Sequence, residues 1–311
     1  MLIEIAIGDS YGAGFEYADE NMPKNDLSGY TKHPTHNLRA GQYTDDTQMS
    51  IAIAEALIAY LADAHDWTPD VLAEYFVRAF KRDWRDGYAR GFQKLLEQVK
   101  TGPELLAALI PDSAKSGGAM RATPIGLLRL EAQVMRLTEI QAAITHNTPD
   151  GIAAAQAAAM MTHFLAFGYR QYELRDYLSD FLPKHADQFQ TPWTGRILAP
   201  GLHSVRAALQ AILDTPFEVG PNLEQPKASL GGILQRVVAF TGDTDTAAAI
   251  AMGAACYSPV VHNDLPDILR YGLERGPYGY DFLGKLDTSL LLAMEFAPRV
   301  MTRAWSRAAG V

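Results

Sequence analysis

Apolar residues recur along this chain at three- and four-residue spacings, with Ala, Leu, Ile and Met marking the repeats, and alternating apolar–polar runs are few. The pattern predicts an all-α protein of about a dozen helices. Thr68-Pro69-Asp70 reads as a cap, a first-turn proline and a first-turn acid, and Thr138 with Gln141 has the spacing of a capping box. Pro103, Pro124 and Pro149 each stand where a further helix would begin. Others are predicted at about Leu202 to Leu213, Ala228 to Phe240, Pro266 to Leu273 and Leu283 to Phe296. Three segments, Met49 to Ala62, Ile152 to Phe167 and Ala247 to Cys256, are apolar nearly all round, which places them at the centre of the molecule. Ala18 to Gln42, Lys184 to Pro200 and Pro216 to Lys227 are rich in turn formers and are expected to be irregular. The length would allow two domains, at roughly 150 residues each. No stretch reads as a flexible linker and no internal repeat is visible, so a single domain over residues 1–311 is expected.

Two acid clusters stand immediately before two of the central helices: Thr44-Asp45-Asp46-Thr47 and Asp243-Thr244-Asp245-Thr246. Helix capping explains one acid at each place, because a side-chain oxygen there satisfies free N–H groups and complements the dipole. Two acids at each entrance exceed that need. If the two helix starts converge, four carboxylates share a small volume, and two divalent cations would neutralise them. An all-oxygen set of carboxylates and threonine hydroxyls suits Mg²⁺ or Mn²⁺, and neither cluster contains a His or Cys. Metal binding and paired capping both remain open at this level.

Composition narrows the possibilities further. Twenty-seven Lys+Arg against 36 Asp+Glu leave a formal charge of −9, which argues against an extended nucleic-acid interface. At 48% hydrophobic and 20% charged, the chain can bury a large core. The single cysteine, Cys256, rules out an intramolecular disulfide framework and suits a reducing cytoplasm. No membrane-spanning run is present, and the start has no basic n-region, so a cytoplasmic protein is expected.

Three further segments carry polar chemistry. Gly8-Asp9-Ser10-Tyr11-Gly12-Ala13-Gly14-Phe15-Glu16 reads as a glycine-rich turn that could approach a ligand closely. Ser116-Gly117-Gly118-Ala119-Met120-Arg121 could present N–H groups and a guanidinium to a pyrophosphate, and a buried ion pair is the alternative for Arg121. Thr145-His146-Asn147-Thr148-Pro149 places His146 and Asn147 for contact with a sugar or phosphate, or for capping. Tyr11, Phe15, Tyr43 and Phe92 could stack on a base or belong to the core. No nucleophile elbow is visible, which argues against acyl transfer.

The ordered set GDSYGAGFE, YTDDTQM, SGGAMRATP, THNTP and GDTDTAAAIAMGA resembles the ADP-ribosylglycohydrolase family over most of the chain. The resemblance implies an orthogonal all-α fold around a centre of two Mg²⁺ or Mn²⁺ ions, which releases ADP-ribose from modified protein side chains, arginine or serine above all. Carried over by position, it implies Thr44, Asp45, Asp46, Asp243, Asp245 and Thr246 as metal ligands, with Asp245 bridging. It implies Glu16, Asp45 and Asp245 as catalytic residues, Glu16 standing where some serine-linkage hydrolases keep a mobile catalytic glutamate. Gly117, Gly118, Ala119, Met120 and Arg121 would line the diphosphate or its supporting loop, and His146 would lie beside the ADP-ribose. A monomer acting on an ADP-ribosylated protein is expected. Two departures stand out: only about seven residues precede the GD motif, and Ala18 to Gln42 is a variable specificity loop. The rivals are a two-metal nucleotide phosphoesterase or pyrophosphatase, marked by AMP or phosphate as product, and a non-catalytic ADP-ribose-binding relative, which would be expected to have lost an aspartate.

Overall fold

The apolar periodicity is realised as helices that bury one another. In the computed structural model, which describes residues 1–168, 171–215 and 228–296, they are α1 (Leu2–Ala13), α2 (Asp45–Leu61), α3 (Pro69–Arg82), α4 (Arg90–Gln98), α5 (Gly102–Ala108), α6 (Gly117–Met120), α7 (Glu131–Ala143), α8 (Pro149–Ala166), α9 (Leu174–Phe181), α10 (Ala186–Gln190), α11 (Gly201–Asp214), α12 (Leu230–Val238), α13 (Thr244–Ala255), α14 (Asp267–Gly272) and α15 (Tyr280–Phe296). Strand structure among the described residues is confined to β1 (Ala228–Ser229) paired in parallel with β2 (Val261–His262). The protein is all-α. No described helix is long and apolar enough to cross a membrane.

The centre is built from the helices whose sequences are apolar all round. Every residue of α13 is buried, as is nearly all of α8, and α2 is buried from Asp46 through Leu57 apart from Glu55. Their alanines and glycines let backbones approach closely. A Cβ on Gly8 would lie 2.7 Å from the Ala248 carbonyl oxygen, and one on Gly12 would lie 2.5 Å from that of Thr244. Helix α1 therefore lies directly on α13. Around this pair the buried apolar side chains form one cluster reaching from Met1 to Leu290.

Several local expectations hold, each for a visible reason. Thr68, Thr101 and Thr148 cap α3, α5 and α8, their hydroxyls accepting from Val71 N, Glu104 N and Gly151 N, with Pro in the first turn of each helix. Others are corrected. Thr138 and Gln141 do not start a helix: both lie inside α7, and the Gln141 side chain instead holds Arg121 and the Gly118 carbonyl. Pro124 opens only a short 3₁₀ turn, Thr123–Leu127. Lys184 to Pro200 contains α10, and Ala18 to Gln42 contains a 3₁₀ turn, Asp19–Lys24. Pro216 to Lys227 lies outside the described residues.

The largest correction concerns the segment from Gly8 to Glu16. Most of it is the second half of α1 rather than a glycine-rich turn. Gly8 and Gly12 face the backbone of α13, and Gly14 packs against Thr31, rather than a ligand.

Candidate metal centre

Helix α1 brings the two acid clusters together. Within a single turn, Asp9 meets the start of α2 and Gly12 meets the start of α13. Asp9 is fully buried, and its carboxylate accepts from Thr44 N at 2.9 Å, Thr47 N at 3.0 Å and the Thr47 hydroxyl at 2.6 Å. The free N–H groups at the start of α2 are thus shared between Asp9, which takes those of Thr44 and Thr47, and the Thr44 hydroxyl, which accepts from Asp46 N at 3.3 Å. That bears directly on the capping alternative. With Asp9 and Thr44 doing the capping, neither acid of the pair is needed for it; Asp46 Oδ2 accepts from Thr44 Oγ1 at 3.0 Å, and Asp46 Oδ1 is buried without a hydrogen-bond partner.

At the other entrance, Thr241 and Gly242 both have positive φ, 60° and 90°, and a Cβ on Gly242 would collide with the Ile197 carbonyl. This turn sets Asp243 at the head of α13, where its N–H donates to Ile197 O and its Oδ2 accepts from Ser204 Oγ at 3.1 Å. Thr244 Oγ1 donates to the Gly12 carbonyl at 2.8 Å, locking α13 to α1 one residue before Asp245.

The carboxylates of the two clusters feel one another. Burial, and then the charges of Asp9, Asp45 and Asp243, hold the Asp46 pKa well above the usual range. Asp245 is likewise raised by burial and by the charges of Glu16, Asp46, Asp243 and Asp9. Asp45, the cluster aspartate that keeps part of its side chain open to solvent, is pushed to about 8 by burial, with Asp9, Glu16 and Asp243 adding to the shift. Asp9 is raised to about 6 by burial, which outweighs its hydrogen bonds.

These shifts predict an unusual pH dependence. A carboxyl whose folded pKa is raised contributes stability that is present below its unfolded pKa, near 3.8 for aspartate, and lost as pH climbs through the folded value. For Asp9 and Asp45 that window runs up through about 6 and about 8. In EDTA the melting temperature should therefore drop between pH 6 and pH 8.5, as read by calorimetry, and Mn²⁺ should recover it at the higher pH. A metal-free melting temperature that is flat or rises over this interval would contradict the raised pKa values of these buried carboxyls.

Glu16 completes the group. Phe15 N donates to Gly12 O and Tyr17 N to Gly242 O, so Glu16 sits in a tight turn tied to the head of α13, with Tyr17 at a positive φ of 49°. Glu16, Asp243 and Asp245 each offer an oxygen, all within 4.8 Å of one another. The centre thus has carboxylates from α2, from α13 and from the turn after α1. Asp45, Asp46, Asp243, Asp245 and the hydroxyls of Thr44 and Thr246 could hold divalent cations.

The loop from Ser116 is placed against the centre through α6, where Ser50 Oγ of α2 donates to Met120 O at 3.2 Å. Arg121 is 1% exposed and does not face outward toward a diphosphate. Its Nε donates to Gln141 Oε1 at 2.6 Å, its Nη2 to Gln141 O and to Thr145 Oγ1, and its guanidinium lies over the Phe76 ring. It braces the loop from within, using neutral partners rather than an ion pair. Burial lowers its pKa to about 9. His146 lies across Gly117 and Gly118, where a Cβ on Gly117 would come within 3.0 Å of its Cε1. Burial, followed by the positive charges of Arg121 and Lys115, lowers the His146 pKa to about 3, so the ring is neutral at physiological pH. Tyr11, Phe15 and Tyr43 are core residues unavailable for base stacking, and only Phe92 of that set is half-buried.

Three contributors were not legible in the sequence: the capping role of Asp9, Ser204 on Asp243, and the pair His33 and His36 beside Glu16. All three are long-range contacts between elements that local spacing does not relate.

Comparison with known proteins agrees with this architecture. A family model described as ADP-ribosylglycohydrolase matches residues 1–256. The chain is 27% identical to ADP-ribosyl-[dinitrogen reductase] glycohydrolase of Rhodospirillum rubrum over 79% of this chain and 80% of that protein. It is 26% identical to ADP-ribosylarginine hydrolase Tri1 of Serratia proteamaculans over 54% of this chain and 46% of that one. A solved structure described as an ADP-ribosylglycohydrolase-related protein complex superposes with a TM-score of 0.67 at 18% identity, covering 95% of this chain and 96% of that one.

Proposed function

This chain belongs to the ADP-ribosylglycohydrolase family, and from that premise we propose that it hydrolyses the bond between the distal ribose of ADP-ribose and an acceptor side chain of a modified protein, using two divalent cations. The observation that carries this reading is the docking of both acid-bearing helix starts on one turn of α1, Asp9 to Gly12.

The residues present fit the cations. An orphaned, buried Asp46 Oδ1 and a set of aspartates whose pKa values are raised first by burial and then by neighbouring carboxylates make a site short of positive charge. The donors are oxygen throughout, which suits Mg²⁺ or Mn²⁺. Thr44, Asp45, Asp46, Asp243, Asp245 and Thr246 would hold them. Bound there, the ions would supply positive charge that orients the ribose hydroxyls and makes a nearby water more acidic.

The chain's own side chains do the rest. Glu16 takes one proton from the attacking water as the water oxygen bonds to the anomeric carbon. The bond from that carbon to the acceptor nitrogen or oxygen breaks, its electron pair leaves with the acceptor, and Glu16 returns the proton to it. One water is consumed, and free ADP-ribose and the unmodified side chain result. The N–H groups of Gly117 and Gly118 would meet the ADP portion, whereas Ala119 and Met120 are buried with their N–H groups bonded to Ser116 O and support that loop from within, with Arg121 bracing from beneath and neutral His146 alongside.

The deciding experiment incubates purified protein with arginine- and serine-linked ADP-ribosyl peptides in Mn²⁺, in Mg²⁺ and in EDTA. Release of free ADP-ribose that stops in EDTA is the expected result. AMP or inorganic phosphate as product would assign the site to nucleotide hydrolysis instead, and no product in any condition would leave a binding protein.

A further inference from the structure

We propose that His33 is the positioning residue for Glu16, fixing the orientation of its carboxylate through a histidine tautomer locked by the main chain. This rests on the acid–base role given to Glu16 above. Glu16 lies on a turn with its side chain partly exposed, and a carboxylate that must meet one water in one geometry has to be held there. His33 is 4% exposed, and its Nε2 lies 2.8 Å from Glu16 Oε2.

The far side of the ring decides where the proton is. His33 Nδ1 faces two main-chain donors, Thr35 N at 3.1 Å and His36 N at 3.0 Å. An N–H cannot accept, so Nδ1 is the acceptor and Nε2 carries the hydrogen that is donated to Glu16. Pro34, between His33 and Thr35, has no N–H of its own and a restricted φ, which suits so tight a turn. The His36 ring stands edge-on to His33 with centroids 4.7 Å apart, and its Nδ1 is 2.9 Å from Asp86 Oδ1. Asp86 also accepts from Asn37 N and Gly87 N, and a Cβ on Gly87 would lie 3.1 Å from Asp45 Oδ1. One buttress thus runs from the loop beside Asp45 to Glu16 beside Asp243.

Glu16, His33 and His36 also bring possible ligand atoms within 4.8 Å of one another, the spacing of a cation site. The tautomer argues against that use. To bind a metal through Nε2, His33 would need its proton on Nδ1, pointed at two N–H donors. With Oε2 occupied by His33, the other Glu16 oxygen is the one left to exchange a proton with water.

The test uses the full chain saturated with Mn²⁺, on whichever ADP-ribosyl linkage the wild type cleaves. His33→Leu is expected to lower kcat roughly 10²-fold, the usual cost of a misplaced group, with KM within about twofold, the split that marks loss of an interaction used beyond ground-state binding. His33→Gln, whose amide can donate to Glu16, is expected to recover about tenfold of that loss. In a Glu16→Gln background, His33→Leu should cost nothing more. An unchanged kcat in folded His33→Leu, equal losses in the Leu and Gln variants, or losses that multiply with Glu16→Gln would each overturn the proposal. ¹⁵N spectra of the wild-type His33 ring are expected to show a protonated Nε2 and an accepting Nδ1. A proton on Nδ1, or a Zn²⁺-induced change at that ring, would overturn it as well. The spectra also decide the matter if His33→Leu does not fold. A wild type that releases no ADP-ribose from any linkage would end the functional reading, while the spectra would still judge the His33 contact.

Discussion

Asp245→Asn is expected to abolish metal-dependent turnover and, in the absence of metal, to leave the protein at least as stable as before. The two halves have one cause. Asp245 is buried, and burial together with the charges of Glu16, Asp46, Asp243 and Asp9 makes its ionised form unfavourable, so without metal an uncharged isostere relieves repulsion. Asparagine also keeps an oxygen to accept from Thr246 N, as Asp245 Oδ1 does at 2.9 Å. The charge that would hold a cation is lost. Electrostatic stabilisation by a bound metal is worth several kcal/mol, and about 4 kcal/mol corresponds to a loss of roughly 10³-fold. The measurements are ADP-ribose release at saturating Mn²⁺ and the melting temperature with and without Mn²⁺. Asp245→Asn should erase the Mn²⁺-induced rise in melting temperature. A variant that turns over at near wild-type rate, or that still gains stability from Mn²⁺, would remove Asp245 from the centre.

Gly12→Ala is expected to damage stability and turnover together without touching any charge. The added methyl would meet the Thr244 carbonyl oxygen at 2.5 Å and Asp245 Cα at 2.6 Å, both backbone atoms that cannot swing aside. Alanine would otherwise be favoured in a helix by roughly 0.5–1 kcal/mol. Overpacking costs roughly 1–3 kcal/mol, and contacts this short with backbone atoms belong to the upper part of that range, so the net effect is a loss. Helix α13 must move off α1, carrying Asp243 and Asp245 away from Asp45 and Asp46. Gly91→Ala is the control. Gly91 also lies in a helix, α4, but nothing stands within 4 Å of the added carbon, so the variant should be neutral or slightly stabilised. Denaturant unfolding and metal-dependent release of ADP-ribose would compare the two. Equal behaviour of Gly12→Ala and Gly91→Ala would refute the close approach on which the site depends.

Read locally, Gly8, Gly12 and Gly14 have the composition of a loop, because glycine is scarce in helix interiors. Gly8 and Gly12 enter α1 because α13 leaves no room for side chains at Ala248 and at Thr244 and Asp245, and Gly14 caps α1 because Thr31 stands where its side chain would be. Thr138 and Gln141 fail for a related reason. The capping-box spacing is a statement about a helix end, and here the apolar face of α7 continues past it, with Val134 and Leu137 before and Ala142 after, all buried. Arg121 was open between a ligand and a buried partner, and Gln141 and Thr145, 20 and 24 residues away, resolve its orientation. Asp9 carried no sign in its neighbourhood that it would cap a helix beginning 36 residues later.

Periodicity and composition were enough for the helical class, for the three central helices and for the acids at the heads of two of them, because these follow from residue spacing along one chain segment. Convergence of those heads, the unpartnered Asp46 Oδ1 and the tautomer of His33 came only with the packed chain. They depend on Asp9, Gly12, Thr244 and the turn from His33 to His36 meeting across long separations, and distance in space between such residues is set by how whole helices bury their faces rather than by any local preference.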